Sequence, residues 1–195
     1  MDAQVTGARH ERGGPVTTYI GLLRAVNLAS HNKVSMADLR LLLLDEGLTD
    51  PQTLLQSGNV VFRSPLASAS KLEQRLESAA ATRLRLGTDF FVRSAADWKQ
   101  LIASNPFRTE ATRDPGHLLV MCLKTAPPRG AESALQKAIT GREVVRVVGQ
   151  QAYVVYPDGV GRSKLTTAVI EKHLGTRTTG RNWNTVSKLG AMCGL

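Results

Sequence analysis

The chain has little of several things, and each shortage excludes something. Of its 195 residues only two are cysteine. Cys122 and Cys193 are far apart and no export signal precedes them, so free thiols in a reducing cytoplasm are expected rather than a disulfide framework. Aromatic residues make up 5%, too few for base stacking to be a main binding force. No apolar run approaches the ~18 residues of a membrane helix, and no membrane association is expected. There is no G-x-S-x-G elbow and no G-x-x-x-x-G-K-[ST] loop, so neither a lipase-type serine nor a P-loop is signalled. The four histidines share no metal-ligand spacing. Neither a metal nor a cofactor is expected.

Acidic residues are also scarce, but only in one half. The net charge is +9. Residues 1–114 carry 14 basic and 12 acidic groups, whereas residues 115–195 carry 11 and 4. The second half is thus a candidate for a phosphate-bearing partner, with plain solubility as the alternative.

What is present is a pattern met twice. Residues 1–16 form a polar, Gly-rich opening that reads as a disordered tail. TTYIGLLRAV then reads as a strand, and SMADLRLLLLDEGL as a helix capped by Ser35 with Asp38. QTLLQSGNVVF reads as two strands around a Ser57-Gly58-Asn59 turn. Residues 70–86 are an expected helix with Ser70 and Glu73 as its capping box, and GTDFFVRS is a strand. A short helix follows over residues 96–103. After a Pro- and Gly-bearing segment at 105–116, which reads as a linker, the order repeats. HLLVMCL, EVVRVV and QAYVVY are strands, residues 129–139 and 163–174 are helices, and TRTTG is a possible last strand before a terminal helix over 184–193. The expected fold is α/β (α+β). Two ferredoxin-like split-βαβ units lie in tandem at 17–104 and 117–195.

Four stretches carry candidate chemistry. Arg24, Asn27, His31, Asn32 and Lys33 cluster around the first loop. There Arg24 is an anion contact or a structural ion pair, and His31 is a candidate proton carrier. Gln56, Ser57, Gly58 and Asn59 form a hairpin turn or a polar ligand edge. Arg181, Asn182, Trp183 and Asn184 open the last helix; Trp183 is a docking residue or a stacking platform, and either Asn can cap. The fourth, YPDGVGRSKL, holds Tyr156, Gly159, Gly161, Arg162, Ser163 and Lys164. If a helix opens at Ser163, Arg162 and Lys164 stand where the dipole favours acids, and the glycines expose backbone donors. That pattern suits a phosphate, the alternative being a turn and a cap.

LLRAVN, HNKVSMADLR, LLQSGNVVF and RNWNTVSKL together resemble a widespread bacterial family, the domain of unknown function 1697 family. Leu28-Ala29-Ser30 stands where that family has a Gly-rich stretch. The resemblance implies an α/β, ferredoxin-like fold and no established reaction. Two functional readings follow. One is a cytoplasmic binding module for a phosphate-containing small molecule or single-stranded nucleic acid. The other is an enzyme on a small phosphorylated or anionic substrate, with Arg24, Lys33, Arg162 and Lys164 holding the anion and His31 or Asp158 moving a proton.

Overall fold

A computed structural model describes residues 16–27, 33–66 and 68–195. The expected tail before residue 16, together with His31 and Asn32, lies outside the described residues. The first unit runs β1 (Thr17–Leu23), α1 (Met36–Asp45), β2 (Thr49–Leu54), β3 (Asn59–Ser64), α2 (Ala69–Arg83) and β4 (Phe90–Ser94). Helices α3 (Ala95–Ala103) and α4 (Arg108–Arg113) follow. The second unit is β5 (Leu118–Leu123), α5 (Ala131–Ala138), β6 (Val144–Val148), β7 (Gln151–Val155), α6 (Thr167–Leu174) and β8 (Thr178–Asn182), closed by α7 (Trp183–Met192). The sheets have the orders β2-β3-β1-β4 and β6-β7-β5-β8, and every pairing is antiparallel. This is the split-βαβ arrangement built twice. No described helix is long and apolar enough to cross a membrane.

The central strands of both sheets are apolar on both faces, and the packing explains why. On β1, Tyr19 and Leu23 face α1 and α2, while Ile20 and Leu22 face the other way. On β5, Met121 and Leu123 face α5 and α6, while Val120 and Cys122 join Ile20 and Leu22. Each sheet therefore has its own outer core and both share a third, inner one. A strand buried on two sides reads as a continuous apolar run rather than an alternating one.

Trp98 on α3 and Leu189 on α7 fill the inner core, and both are fully buried. The Trp98 Nε1–H donates to Val186 O at 3.1 Å, and the Tyr153 hydroxyl donates to Leu101 O at 2.6 Å. The two helices approach closely at Gly190, where an added Cβ would stand 2.9 Å from Ile102 Cδ1. The segment read as a linker contains α4. Asn105 is buried there, and Phe107 and Ala111 pack on the inner core.

Two helix starts differ from expectation. Helix α2 is capped by Ser68, not Ser70. Glu73 is not a cap partner: it is buried and accepts from the Val92 N–H at 2.8 Å. Helix α6 starts at Thr167 behind a Thr166 cap, not at Ser163. Before it, residues Val160–Arg162 form a 3₁₀ turn that ends on Ser163. The Ser163 hydroxyl donates to Glu143 and accepts from the Leu165 N–H, which stops the chain from coiling there.

The shared inner core predicts that a fragment ending at residue 104 cannot fold alone, because Ile20, Leu22, Val61 and Phe91 would keep only α3 over them and lose the cover of β5, β7 and α7. Circular dichroism of that fragment should show no cooperative melting. A sharp transition would contradict the shared core.

Candidate functional site

Three of the four candidate stretches meet at the junction of the units. Arg181, on β8, is the hub. Its Nη2 donates to Leu23 O at 2.9 Å and Ser57 O at 3.0 Å. Its Nη1 donates to Thr179 Oγ1 and to Gly180 O, both at 2.9 Å. Its Nε donates to the side-chain oxygen of Asn59. Asn59 is buried, and its amide nitrogen donates to Leu54 O and Ser57 Oγ, each at 2.9 Å. Gly58 adopts φ +69°, and a Cβ there would stand 2.6 Å from Val26 Cγ2, so QSGN needs its glycine for both conformation and space.

The partners of Arg181 are all neutral. Burial draws its pKa down to about 10 from the ordinary 12.5, which leaves it cationic at neutral pH. Arg24, just past β1, forms a two-point ion pair with Glu171 of α6, at 3.1 and 3.0 Å. Its Nε also reaches Thr178 O at 3.2 Å. Asn27 clamps the first loop: its amide nitrogen donates to Val34 O and Gln56 O, and its oxygen accepts from the Val34 N–H. Lys33 is exposed and lines a shallow hollow with Asn27, Ser35 and Gln56.

These contacts close two open sheet edges in the same way. Lys124 N donates to Arg177 O and Arg24 N to Asp89 O. By ladder alternation, residues 178 and 180 of β8, and 90 and 92 of β4, then point their backbone groups away from the sheet. On β4, the Phe90 N–H donates to Glu77 and Phe90 O accepts from Lys124. Val92 O accepts from Arg93, whose Nη2 reaches Leu123 O at 2.7 Å. On β8, the Thr178 N–H donates to Glu171 and Thr178 O accepts from Arg24. Gly180 O accepts from Arg181, which reaches Leu23 O. Each unit thus lends a cation to the other unit's edge.

Beside the β8 clasp lies a cleft of about 630 Å³, lined by Arg24, Ala25, Leu55, Thr167, Arg181 and their neighbours, with no acidic residue among its lining. Its rim is conformationally strained. Ala25 and Leu55 have φ of 52° and 60°, a region that such side chains rarely adopt. Among the described residues no group of three His, Cys, Asp or Glu side chains is placed to hold a metal.

At the end of β8, Asn182 caps α7 by accepting from the Thr185 N–H at 3.0 Å. Trp183 packs on the inner core and Asn184 is exposed. The fourth stretch stands apart, and none of its residues lines the cleft. Tyr156 is buried and donates to Leu165 O. Gly159 lies against His117, and Asp158 pairs with Arg142. Arg162 and Lys164 precede α6 rather than occupying its first turn. Sequence reading missed Glu171, Thr167 and Leu55; its one relevant signal was TRTTG as a possible strand.

The fold and junction define a tandem pair of ferredoxin-like units locked edge to edge. The sequence matches the family model described as "Protein of unknown function (DUF1697)" over residues 16–153, and the chain belongs to that family. The match stops before RNWNT. A solved structure, that of the conserved bacterial protein SP0830 from Streptococcus pneumoniae, is similar at a TM-score of 0.73 and 23% identity. The similarity covers 91% of this chain and 99% of that one, and speaks for the fold. No curated protein matches.

Two predictions follow from these partners. Arg181→Ala orphans the buried side-chain oxygen of Asn59 and takes the charged donor from the buried carbonyl of Leu23, and should cost about 2–4 kcal/mol in chemical denaturation, each unsatisfied buried group being worth ~1–3 kcal/mol; a loss below about 0.5 kcal/mol would contradict the hub. Burial raises the pKa of all three tyrosines, that of Tyr156 to about 12 from 10.0. As pH climbs from 10 towards 12, the unfolded chain loses phenolic protons that the folded chain keeps, so stability falls. Phenolate absorbance should appear together with loss of the circular-dichroism signal, not before it.

Proposed function

We propose that the protein is a binding module for a small phosphate-bearing ligand, taken in the cleft between the units. The observation that carries this reading is Arg181: a cation with only neutral partners, beside a cleft whose lining holds a second arginine and no acid. In a partly dehydrated site an uncompensated cation favours an anion. The volume lies within the ~300–1,000 Å³ of small-molecule sites. Leu55, 58% exposed on the rim, offers apolar contact to the rest of such a ligand. The strained rim supports the reading too, since strain gathers at binding sites. The cleft volume, that of a small-molecule site, and the scarce aromatics favour a small ligand over single-stranded nucleic acid.

The test is calorimetric titration with a nucleoside monophosphate, a sugar phosphate and a short single-stranded oligonucleotide. Wild type is compared with Thr167→Asp, inside the cleft, and Lys164→Glu, outside it. Thr167→Asp should weaken binding of a phosphate monoester at least tenfold, while Lys164→Glu, the larger change in charge, should leave it alone. Loss with Lys164→Glu only would move the site to the 156–165 loop. Tight binding of the oligonucleotide alone would replace the small ligand by nucleic acid.

A further inference from the structure

The two edge clasps share their contacts to the strand edge, and although Arg181 has further partners in Ser57, Asn59 and Thr179 that Arg93 lacks, the edges themselves differ at one point. On β4, the Val92 N–H donates to Glu73. The same carboxylate lies 2.8 Å from Lys124 Nζ and 3.6 Å from Arg93 Nη1. Glu73 stands four residues before Glu77 on α2, so both reach the β4 edge from one helix face. On β8 the counterparts of Val92, Lys124 and Arg93 are Gly180, Arg24 and Arg181, by the hydrogen bonds they share. Glu171 takes the part of Glu77. Four residues before Glu171 stands Thr167, exposed and too short to reach across. No acidic side chain meets the Gly180 N–H among the described residues, and the cleft opens there, lined by Thr167, Arg24, Gly180 and Arg181.

We infer that the cleft binds a ligand oxyanion at the place corresponding to the Glu73 carboxylate, against the Gly180 N–H and between Arg24 and Arg181. This deepens the reading of the cleft as an anion site and rests on it. It specifies a terminal carboxylate or phosphate oxygen as the recognised group, with the Gly180 N–H and the free N–H groups of Arg24 as its donors and the charge of Arg181, whose own N–H groups are all taken, as the field that favours it. In the first unit a side chain of the protein supplies the anion; in the second the ligand supplies it. Arg24 keeps Glu171 when the ligand binds, as Lys124 keeps Glu77 beside Glu73.

The experiment compares melting temperatures of wild type, Thr167→Glu, Thr167→Asp and Thr167→Gln. All are measured in sodium chloride, sodium acetate and inorganic phosphate at equal ionic strength. Aspartate and glutamate interact alike with the α6 dipole, so their difference reports reach into the site. Thr167→Glu should melt about 2–4 °C above Thr167→Asp in chloride, a usual shift for one good interaction in a chain of this size, and Thr167→Gln should not. Acetate or phosphate should raise the melting point of wild type and not that of Thr167→Glu; which of the two acts identifies carboxylate or phosphate as the preferred group. A Thr167→Glu protein no more stable than Thr167→Asp would overturn the inference, as would anions that stabilise Thr167→Glu as much as wild type. If Thr167→Glu is stabilised but no phosphate monoester binds, the oxyanion position stands and the phosphate-bearing ligand falls.

Discussion

The structure depends on closing two sheet edges without a further strand. A ferredoxin-like sheet ends in an open edge at its fourth strand, and exposed backbone donors and acceptors there invite aggregation. Here each edge is met by carboxylate from its own unit, Glu73 and Glu77 at β4 and Glu171 alone at β8, and by a cation from the other: Lys124 reaches β4 and Arg24 reaches β8. Arg93 and Arg181 then cross to the carbonyls of Leu123 and Leu23. Hydrogen bonds to charged groups at part-buried positions are worth more than neutral ones, and removing either partner leaves the other unsatisfied. The clasps therefore fix the register of one unit against the other, and the shared core around Trp98 fills in behind them.

Much of the fold was legible because local signals agree with the tertiary structure. Apolar runs marked the strands, Ser35 marked the start of α1, and the repeated order marked the duplication. The failures have physical reasons. At 156–166, glycines, Ser163 and Thr166 offer two serine- or threonine-type caps in succession, and only the contact of Ser163 with Glu143 decides between them. At α2, Ser68 and Ser70 can both cap, and Glu73 looked like a box partner because its true partner, Val92, lies 19 residues away on β4. The doubled apolar faces of β1 and β5 fit sheets covered on both sides, which sequence reading missed.

The site was half legible. The polar stretches after β1, before β3 and within β8 were singled out, and they converge. What joins them was hidden, since Arg24 meets Glu171 across 147 residues of chain. Gln56, Ser57, Gly58, Asn59 and Asn27 turn out to hold backbone in place around Arg181. Arg162 and Lys164 of the 156–165 loop do not sit in the first turn of α6, against expectation, whereas Arg181 at the cleft is a cation with only neutral partners. This could not be read from sequence, because nothing in TTGRN shows that its arginine has only neutral partners.

One difference between the two strand edges fixes the anion position: a glutamate at 73 and a threonine at 167. That position is tested most directly by a crystal structure of the Thr167→Glu protein. The introduced carboxylate should accept from the Gly180 N–H and lie between Arg24 and Arg181, as Glu73 does with Val92, Lys124 and Arg93, and the cleft should be filled at that point. A carboxylate turned out to solvent, with the cleft unchanged, would contradict the equivalence of the two edges and the anion position derived from it.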